Sequence, residues 1–356
     1  AQFESVLFER TTNWGTYLST TVLETETVCV RQAAAGQLSP VMEAALNSEL
    51  NFLQKLCGLT LDTLLEAADR QSRELAFLPR WEARQLDLTA AYNQRMREAG
   101  KKGYGMFAKH HVFTVENGQL VPVKYPDPQR LSELPGYEKE REKVIANTKA
   151  LLAGLPANNV LLYGDRGTGK SSTIHAILNA YKEQGLRMIE IPKSAVEELS
   201  LIREYLADSP MKFIIYIDDL SFDSQDNAFT ELKAALEGGL SACQPNTLIY
   251  ATSNRRHLIK ENFSDREDDV NKNDTRQEQL SLSDRFGLTI TFINPDKKDY
   301  LDIVEKIAAD RGLQVDAQRL DAAAEQWAVR RGGRSPRCAR QFIDHVESAL
   351  RRGKEW

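Results

Sequence analysis

The middle of the chain alternates between short, largely apolar runs and longer segments with helical periodicity. The apolar runs occupy residues 159–163, 188–191, 213–217, 248–252 and 288–292. Runs that are apolar at nearly every position are typical of parallel strands covered on both faces. Strands that alternate with helices predict an α/β fold. We expect a doubly wound parallel five-stranded sheet with its ligand at the carboxyl ends of the strands.

Helical periodicity also dominates on both sides of this predicted sheet. Residues 1–130 predict a mainly helical N-terminal domain with a short β-hairpin near 112–123. The core is expected at 131–294, and residues 295–356 predict a small helical lid. Within the core, the charge-rich segment 260–283 predicts a loop that stays mobile until something binds it.

The composition narrows the class of protein. Of the 356 residues, 42% are hydrophobic and 27% are charged, as in an ordinary soluble globular protein. The formal net charge of −5 gives no electrostatic case for nucleic-acid binding by the whole molecule. The four cysteines lie far apart without metal-ligand spacing, and no apolar run is long enough to cross a bilayer. We therefore expect a cytoplasmic protein with no membrane contact.

A complete phosphate-binding motif follows the first apolar run. It obeys G-x-x-x-x-G-K-[ST] between a predicted strand and a predicted helix, a context that disfavours a chance glycine turn. Its glycines let backbone N–H groups converge on anionic oxygens at a helix N-terminus. Lys170 is expected to reach the terminal phosphates, and the Ser171 hydroxyl to ligate Mg²⁺. The expected nucleotide-binding residues here are Gly164, Asp165, Arg166, Gly167, Thr168, Gly169, Lys170, Ser171 and Ser172.

Polar side chains follow two further predicted strands. Asp218 and Asp219 come directly after the run 213–217, and Asn254 follows the run 248–252. We expect Asp218 to hold Mg²⁺ through water and Asp219 to orient or deprotonate the attacking water. Asn254 is a candidate second water-positioning residue. An acidic helix N-cap and an ordinary polar strand end are the alternatives for these positions.

Together these features resemble AAA+ ATPases, which combine a phosphate loop, an acidic strand end, a polar residue on the following strand and a helical lid. Residues 281–287 resemble the arginine-finger segment of that superfamily, and residues 335–339 resemble its nucleotide-sensing lid motif. The resemblance implies that Arg285 reaches the γ-phosphate of a neighbouring subunit and that Arg337 contacts the phosphates of its own chain. A surface salt bridge is the alternative for Arg285. For Arg337 a purely structural role is less favoured, because a cation at the start of a helix opposes the helix dipole.

The core motifs are most similar to those of bacterial replication initiators and helicase loaders. Residues 134–138, 167–172, 218–222, 236–239 and 251–258 resemble more closely a bacterial AAA+ family, domain of unknown function 815. The resemblance covers about residues 110–350. It implies that Gly136 and Tyr137 lie near the adenine of a bound nucleotide.

These observations predict an oligomeric ATPase that binds ATP (or ADP) with Mg²⁺ and acts on an unknown protein or nucleic-acid client. Most AAA+ motors carry Asp-Glu where this chain has Asp218-Asp219, and the shorter second side chain predicts slow turnover. Two alternatives remain open at this point. One is an ATP-gated binding module with little hydrolysis, and the other is a DNA-associated remodelling factor.

Overall fold

The computed structural model describes residues 2–67, 81–82, 86–221, 227–237, 245–254 and 285–356. The predicted loop 260–283 lies outside these residues. Two compact units divide the chain. The first comprises Ala1–His110 with Asp208–Met211, and the second comprises His111–Ala207 with Lys212–Trp356.

The first unit is helical, as predicted. Its core gathers Leu46, Leu50, Leu88 and Tyr92, and the Tyr92 hydroxyl lies 2.9 Å from the hydroxyl of Thr27. Its helices are α1 (Gln2–Phe8), α2 (Trp14–Glu24), α3 (Val28–Ala34), α4 (Pro40–Cys57), α5 (Leu61–Ala67), α6 (Leu88–Arg97), α7 (Ala99–Lys102) and α8 (Met106–Lys109).

The second unit is built on a seven-stranded sheet with the strand order β2-β1-β4-β5-β6-β3-β7. All neighbouring pairs are parallel except β1 with β2. The strands are β1 (Val112–Glu116), β2 (Gln119–Pro122), β3 (Val160–Gly164), β4 (Leu186–Glu190), β5 (Lys212–Ile217), β6 (Thr247–Ser253) and β7 (Leu288–Phe292).

The doubly wound parallel core is confirmed, but the count of five strands was too low. The predicted hairpin exists and turns at Asn117-Gly118, both of which have positive φ. Its first strand also pairs in parallel with β4, where Val112 lies opposite Met188. The hairpin therefore belongs to this sheet, and its residues Val112 and Phe113 are almost completely buried. As a result, the two compact units divide after His110 and not at the expected boundary of 130.

Helices cover the sheet and pack into its core. Buried side chains of α9 and α10, among them Val144 and Ile174, pack against β-strand residues such as Leu162 and Tyr216. The helices of this region are α9 (Glu138–Leu152), α10 (Lys170–Tyr181), α11 (Leu199–Leu206) and α12 (Asn227–Glu237), with 3-10 turns at Leu131–Glu133, Lys182–Gln184 and Lys193–Glu198.

The lid consists of three helices after β7, as predicted. They are α13 (Lys297–Asp310), α14 (Ala317–Arg331) and α15 (Pro336–Arg351), capped by the side chains of Asp296, Asp316 and Ser335. Tyr300 and Phe342 are central to a separate apolar core of the lid. Within the described part of the chain, no helix has the length and hydropathy that crossing a lipid bilayer requires.

Candidate nucleotide-binding site

The phosphate loop connects β3 to α10 at the carboxyl edge of the sheet. Gly164, Gly167 and Gly169 all have positive φ, a backbone conformation that side chains disfavour. Gly164 is further constrained, because a Cβ there would lie 2.0 Å from the carbonyl oxygen of Phe292 on β7. The same carbonyl accepts a hydrogen bond from the Asp165 N–H at 2.8 Å. The loop therefore depends on the close approach of β3 and β7.

Lys170 is buried in the first turn of α10, with 6% of its surface exposed. Its ammonium group donates to the carbonyls of Gly164 and Asp165, at 2.9 and 2.7 Å, and to Oδ1 of Asn254 at 3.2 Å. Burial lowers the pKa of Lys170, although the nearby carboxylates of Asp165, Asp219 and Asp218 oppose this shift. The structure thus places the ammonium where the loop meets the end of β6.

Asp218 carries a carboxylate that three hydroxyl groups hold in place. Its Oδ1 accepts from Ser171 Oγ at 2.8 Å, from Tyr216 OH at 2.6 Å and from Thr252 Oγ1 at 2.5 Å. Desolvation raises the pKa of Asp218, but these hydrogen bonds outweigh it, so the pKa lies below its usual value. The carboxylate is therefore ionised at neutral pH and lies beside the Ser171 hydroxyl.

Asp219 and Asn254 face each other at the ends of β5 and β6. The Asn254 Nδ2 donates to Asp219 Oδ1 at 2.6 Å, and the Asp219 N–H donates to Thr252 Oγ1 at 3.0 Å. Asp219 has φ 48°, a left-handed backbone that asparagine and aspartate adopt more readily than other residues with a side chain. The two candidate water-positioning residues are thus brought together.

These groups line one cleft of about 400 Å³ between the core and the lid. Arg337 reaches it from the first turn of α15, and its backbone N–H donates to the carbonyl of Gly167 at 3.1 Å. The described residues of the cleft are Leu134, Pro135, Arg141, Arg166, Gly167, Thr168, Gly169, Lys170, Ser171, Ser172, Asp218, Asp219, Thr252, Asn254, Pro336, Arg337 and Arg340. Most of the predicted site residues are therefore assembled within one chain.

Other predicted residues lie outside the described lining of this cleft. Asp165 contacts the segment between β7 and the lid, where its Oδ2 accepts a hydrogen bond from the Asn294 N–H at 2.7 Å. Tyr137 donates its hydroxyl to the carbonyl of Ile293 at 2.6 Å and stacks on Phe292. Gly136 precedes it, close to Ile303 of the lid. Their expected proximity to adenine therefore stays a prediction, and the adjacent Leu134-Pro135 lines the cleft instead.

Arg285 is separated from the phosphate loop of its own chain. It immediately precedes Phe286-Gly287 and β7, and β7 runs parallel to β3, with Leu288 opposite Val160 and Phe292 opposite Gly164. The loop therefore lies at the carboxyl end of these strands, whereas Arg285 lies at their amino end. Five parallel residues span about 16 Å. The geometry leaves Arg285 outside the cleft that contains Lys170.

Two arginines of the cleft were not predicted. Arg141, on α9, is buried apart from 7% of its surface, and Arg340 is on α15. Burial lowers the pKa of Arg141, and its guanidinium lies 3.4 Å from Glu138. Arg340 follows Arg337 by three residues, a spacing that places both side chains on one helix face. That spacing was the only signal in the sequence for Arg340, whose position depends on how the lid packs on the core.

The phosphate loop, the acidic end of β5, Asn254 after β6 and the helical lid together define a P-loop α/β fold with a C-terminal helical lid. A family model described as "Protein of unknown function (DUF815)" matches residues 107–350, and the chain belongs to this family. This confirms the resemblance to domain of unknown function 815 that the sequence motifs indicated.

Solved structures with a similar fold include RuvB of Thermotoga maritima, described as a Holliday junction branch migration motor. It is 20% identical with a TM-score of 0.43, and the match covers 63% of this chain and 65% of RuvB. One variant of that protein is 21% identical with a TM-score of 0.44 and the same coverage. The match thus spans just under two thirds of the RuvB chain. No curated protein sequence matches the chain.

Proposed function

We propose that this protein binds ATP with Mg²⁺ in the cleft, hydrolyses it slowly, and couples the nucleotide state to action on a macromolecular client. One observation carries the proposal. Lys170, Ser171, Asp218, Asp219 and Asn254 converge beside the phosphate loop, although they come from three separate parts of the chain. A basic group, an oxygen pair for a metal and a water-positioning pair are the parts that phosphoryl transfer to water requires.

The binding roles follow from position and charge. Lys170, Arg337 and the loop N–H groups would hold the phosphates. Ser171 and Asp218 would hold Mg²⁺, since hydroxyl and carboxylate oxygens are ligands that this ion accepts while keeping several waters. The bound ion would neutralise charge on the phosphate oxygens. Among the described residues, no three His, Cys, Asp or Glu side chains form a metal cage.

The geometry of Asp219 favours slow hydrolysis of ATP. Its carboxylate is one methylene shorter than that of glutamate, and the same Oδ1 already accepts from Asn254 at 2.6 Å. We assign Asp219 and Asn254 the task of orienting water, by positioning and hydrogen bonding and without a covalent protein intermediate. The short reach limits how closely Asp219 approaches that water.

The position of Arg285 favours a homo-oligomer. Since Arg285 and the phosphate loop lie at opposite ends of β7 and β3, this arginine would serve the cleft of a neighbouring subunit. A guanidinium is suited to this role because it stays charged and stabilises charge that develops on a phosphoryl group. Nucleotide binding would then strengthen the contact between subunits.

The Asp219–Asn254 hydrogen bond also supports a second candidate, an ATP-gated switch. If Asp219 stays bound to Asn254, nucleotide would move the lid without rapid hydrolysis. The client in either case is a protein or nucleic acid that the site itself does not specify.

Phosphate release from ATP and Mg²⁺, measured over a range of protein concentrations, separates the two candidates. The ATPase proposal expects turnover that rises with protein concentration and is lost in Asp219→Asn, which should still bind ATP. Binding by the parent protein with no phosphate release at any concentration would leave only the switch.

A further inference from the structure

Two hydrogen bonds join the lid to the segment that leads into the core. We call these contacts among Gln129, Glu133 and Arg340 the clasp. The Arg340 guanidinium donates through Nη1 to Gln129 Oε1 at 3.3 Å and through Nη2 to the Glu133 carbonyl at 3.2 Å. Arg340 also lines the nucleotide cleft, whereas Gln129 is not among its described lining residues. One side chain therefore belongs both to the wall of the cleft and to a contact outside it.

The segment that receives Arg340 is itself firmly held. Gln129 is 8% exposed, and its Nε2 donates to Glu133 Oε2 at 2.9 Å. The Nδ2 of Asn179 donates to the carbonyls of Asp127 and Gln129, at 2.8 and 3.0 Å. Asn179 is part of α10, the helix that begins at Lys170 of the phosphate loop. The clasp is thus anchored to the same helix that presents the loop.

The lid helix α15 is attached both to the phosphate loop and to the clasp. Its first turn is bonded to the loop through the N–H of Arg337 and the carbonyl of Gly167, at 3.1 Å. One turn further along, Arg340 reaches the clasp. To move away from the loop, α15 must break both attachments. The clasp adds two hydrogen bonds from a charged donor to the single neutral bond at Gly167.

We propose that Arg340 is a positioning residue whose clasp holds the lid over bound nucleotide and sets how slowly that nucleotide leaves. This inference rests on the proposed nucleotide-binding function. Opening of the clasp precedes release, because α15 forms one wall of the cleft and the loop forms another. Without the clasp, the lid opens more often, and the dissociation rate rises while the phosphate contacts remain.

The test is the dissociation rate of a fluorescent ATP analogue, displaced by excess ATP in a stopped-flow instrument. Gln129→Leu keeps a side chain of similar volume in a buried position but removes the acceptor, and should speed release roughly tenfold. Arg340→Lys keeps the charge but cannot span two acceptors, and should speed release as well. The Gln129→Leu/Arg340→Gln double variant should be no faster than Arg340→Gln alone, as expected for two groups in one contact.

The lid provides a matched control. Arg334 binds Glu325 within the lid through Nε and Nη2, both at 2.9 Å, and is not among the described residues of the cleft. Arg334→Gln should leave the dissociation rate at the parent value.

Release at the parent rate in Gln129→Leu or in Arg340→Lys overturns the clasp, and either variant suffices if the other does not fold. The clasp is also overturned if the increases in dissociation rate from Gln129→Leu and Arg340→Gln add in the double variant, since Arg340 would then act on the nucleotide directly. A parent protein that binds no nucleotide overturns the proposed function as well as the clasp.

Discussion

At the residue scale, the charge state of Asp218 bears on both the proposed metal site and the stability of the fold. Hydrogen bonds from three hydroxyls hold the folded-state pKa of this carboxyl below its ordinary value of 3.8. A depressed pKa means that folding favours the ionised form, so the stabilisation is fully present above pH 3.8 and is lost as the pH falls through the folded-state value.

Asp218→Asn should therefore lower the free energy of unfolding at neutral pH, and the difference from the parent should shrink as the pH falls below about 4. Denaturant unfolding of both proteins between neutral and acid pH measures this difference, and groups common to the two cancel. A difference that stays constant or widens in acid would show that the carboxylate does not stabilise the fold through its charge.

At the element scale, the junction of β3 and β7 supports the phosphate loop. Gly164→Ala places a Cβ 2.0 Å from the Phe292 carbonyl, in a backbone with φ 133°. Because that carbonyl belongs to a paired strand, the clash should cost about 3 kcal/mol or more in the free energy of unfolding. Thermal or denaturant unfolding measures the loss.

Gly154→Ala is the matched control for this junction. Gly154 also has a positive φ, of 69°, but nothing lies within 4 Å of a Cβ added there. Backbone strain alone should cost about 1–2 kcal/mol. Equal losses in the two variants would mean that strain, and not the approach of β7, decides the requirement for glycine at 164.

Elements with strong local signals could be predicted from sequence. The apolar runs marked the core strands, and the loop motif placed Lys170 and Ser171 beside Asp218 because parallel strands end at one edge. The pairing of β1 with β4 could not be predicted, since a hairpin signal does not say which sheet it joins. Arg340 was missed for a similar reason: its acceptors lie more than 200 positions away in sequence.

At the scale of the whole molecule, the position of Arg285 predicts that two chains share each active cleft. Arg285→Ala should bind ATP like the parent but release phosphate at least about a hundredfold more slowly. A mixture of Arg285→Ala with Lys170→Ala should recover activity, because the first variant supplies an intact loop and the second an intact arginine. Phosphate release from each variant and from the mixture tests this.

Two results would contradict this sharing of residues between subunits. Loss of ATP affinity in Arg285→Ala would place the arginine in its own cleft. A mixture no more active than its separate components would show that the variants do not complement each other across an interface.

The most direct measurement for the account as a whole is calorimetric titration of the parent protein with ATP and Mg²⁺, beside Lys170→Ala. Lys149→Ala, an exposed position on α9, controls for the loss of a lysine. We predict that the parent and Lys149→Ala bind ATP equally, and that Lys170→Ala binds about a hundredfold more weakly or not at all. Equal affinity in Lys170→Ala, or no binding by the parent, would contradict the assignment of this cleft to a nucleotide.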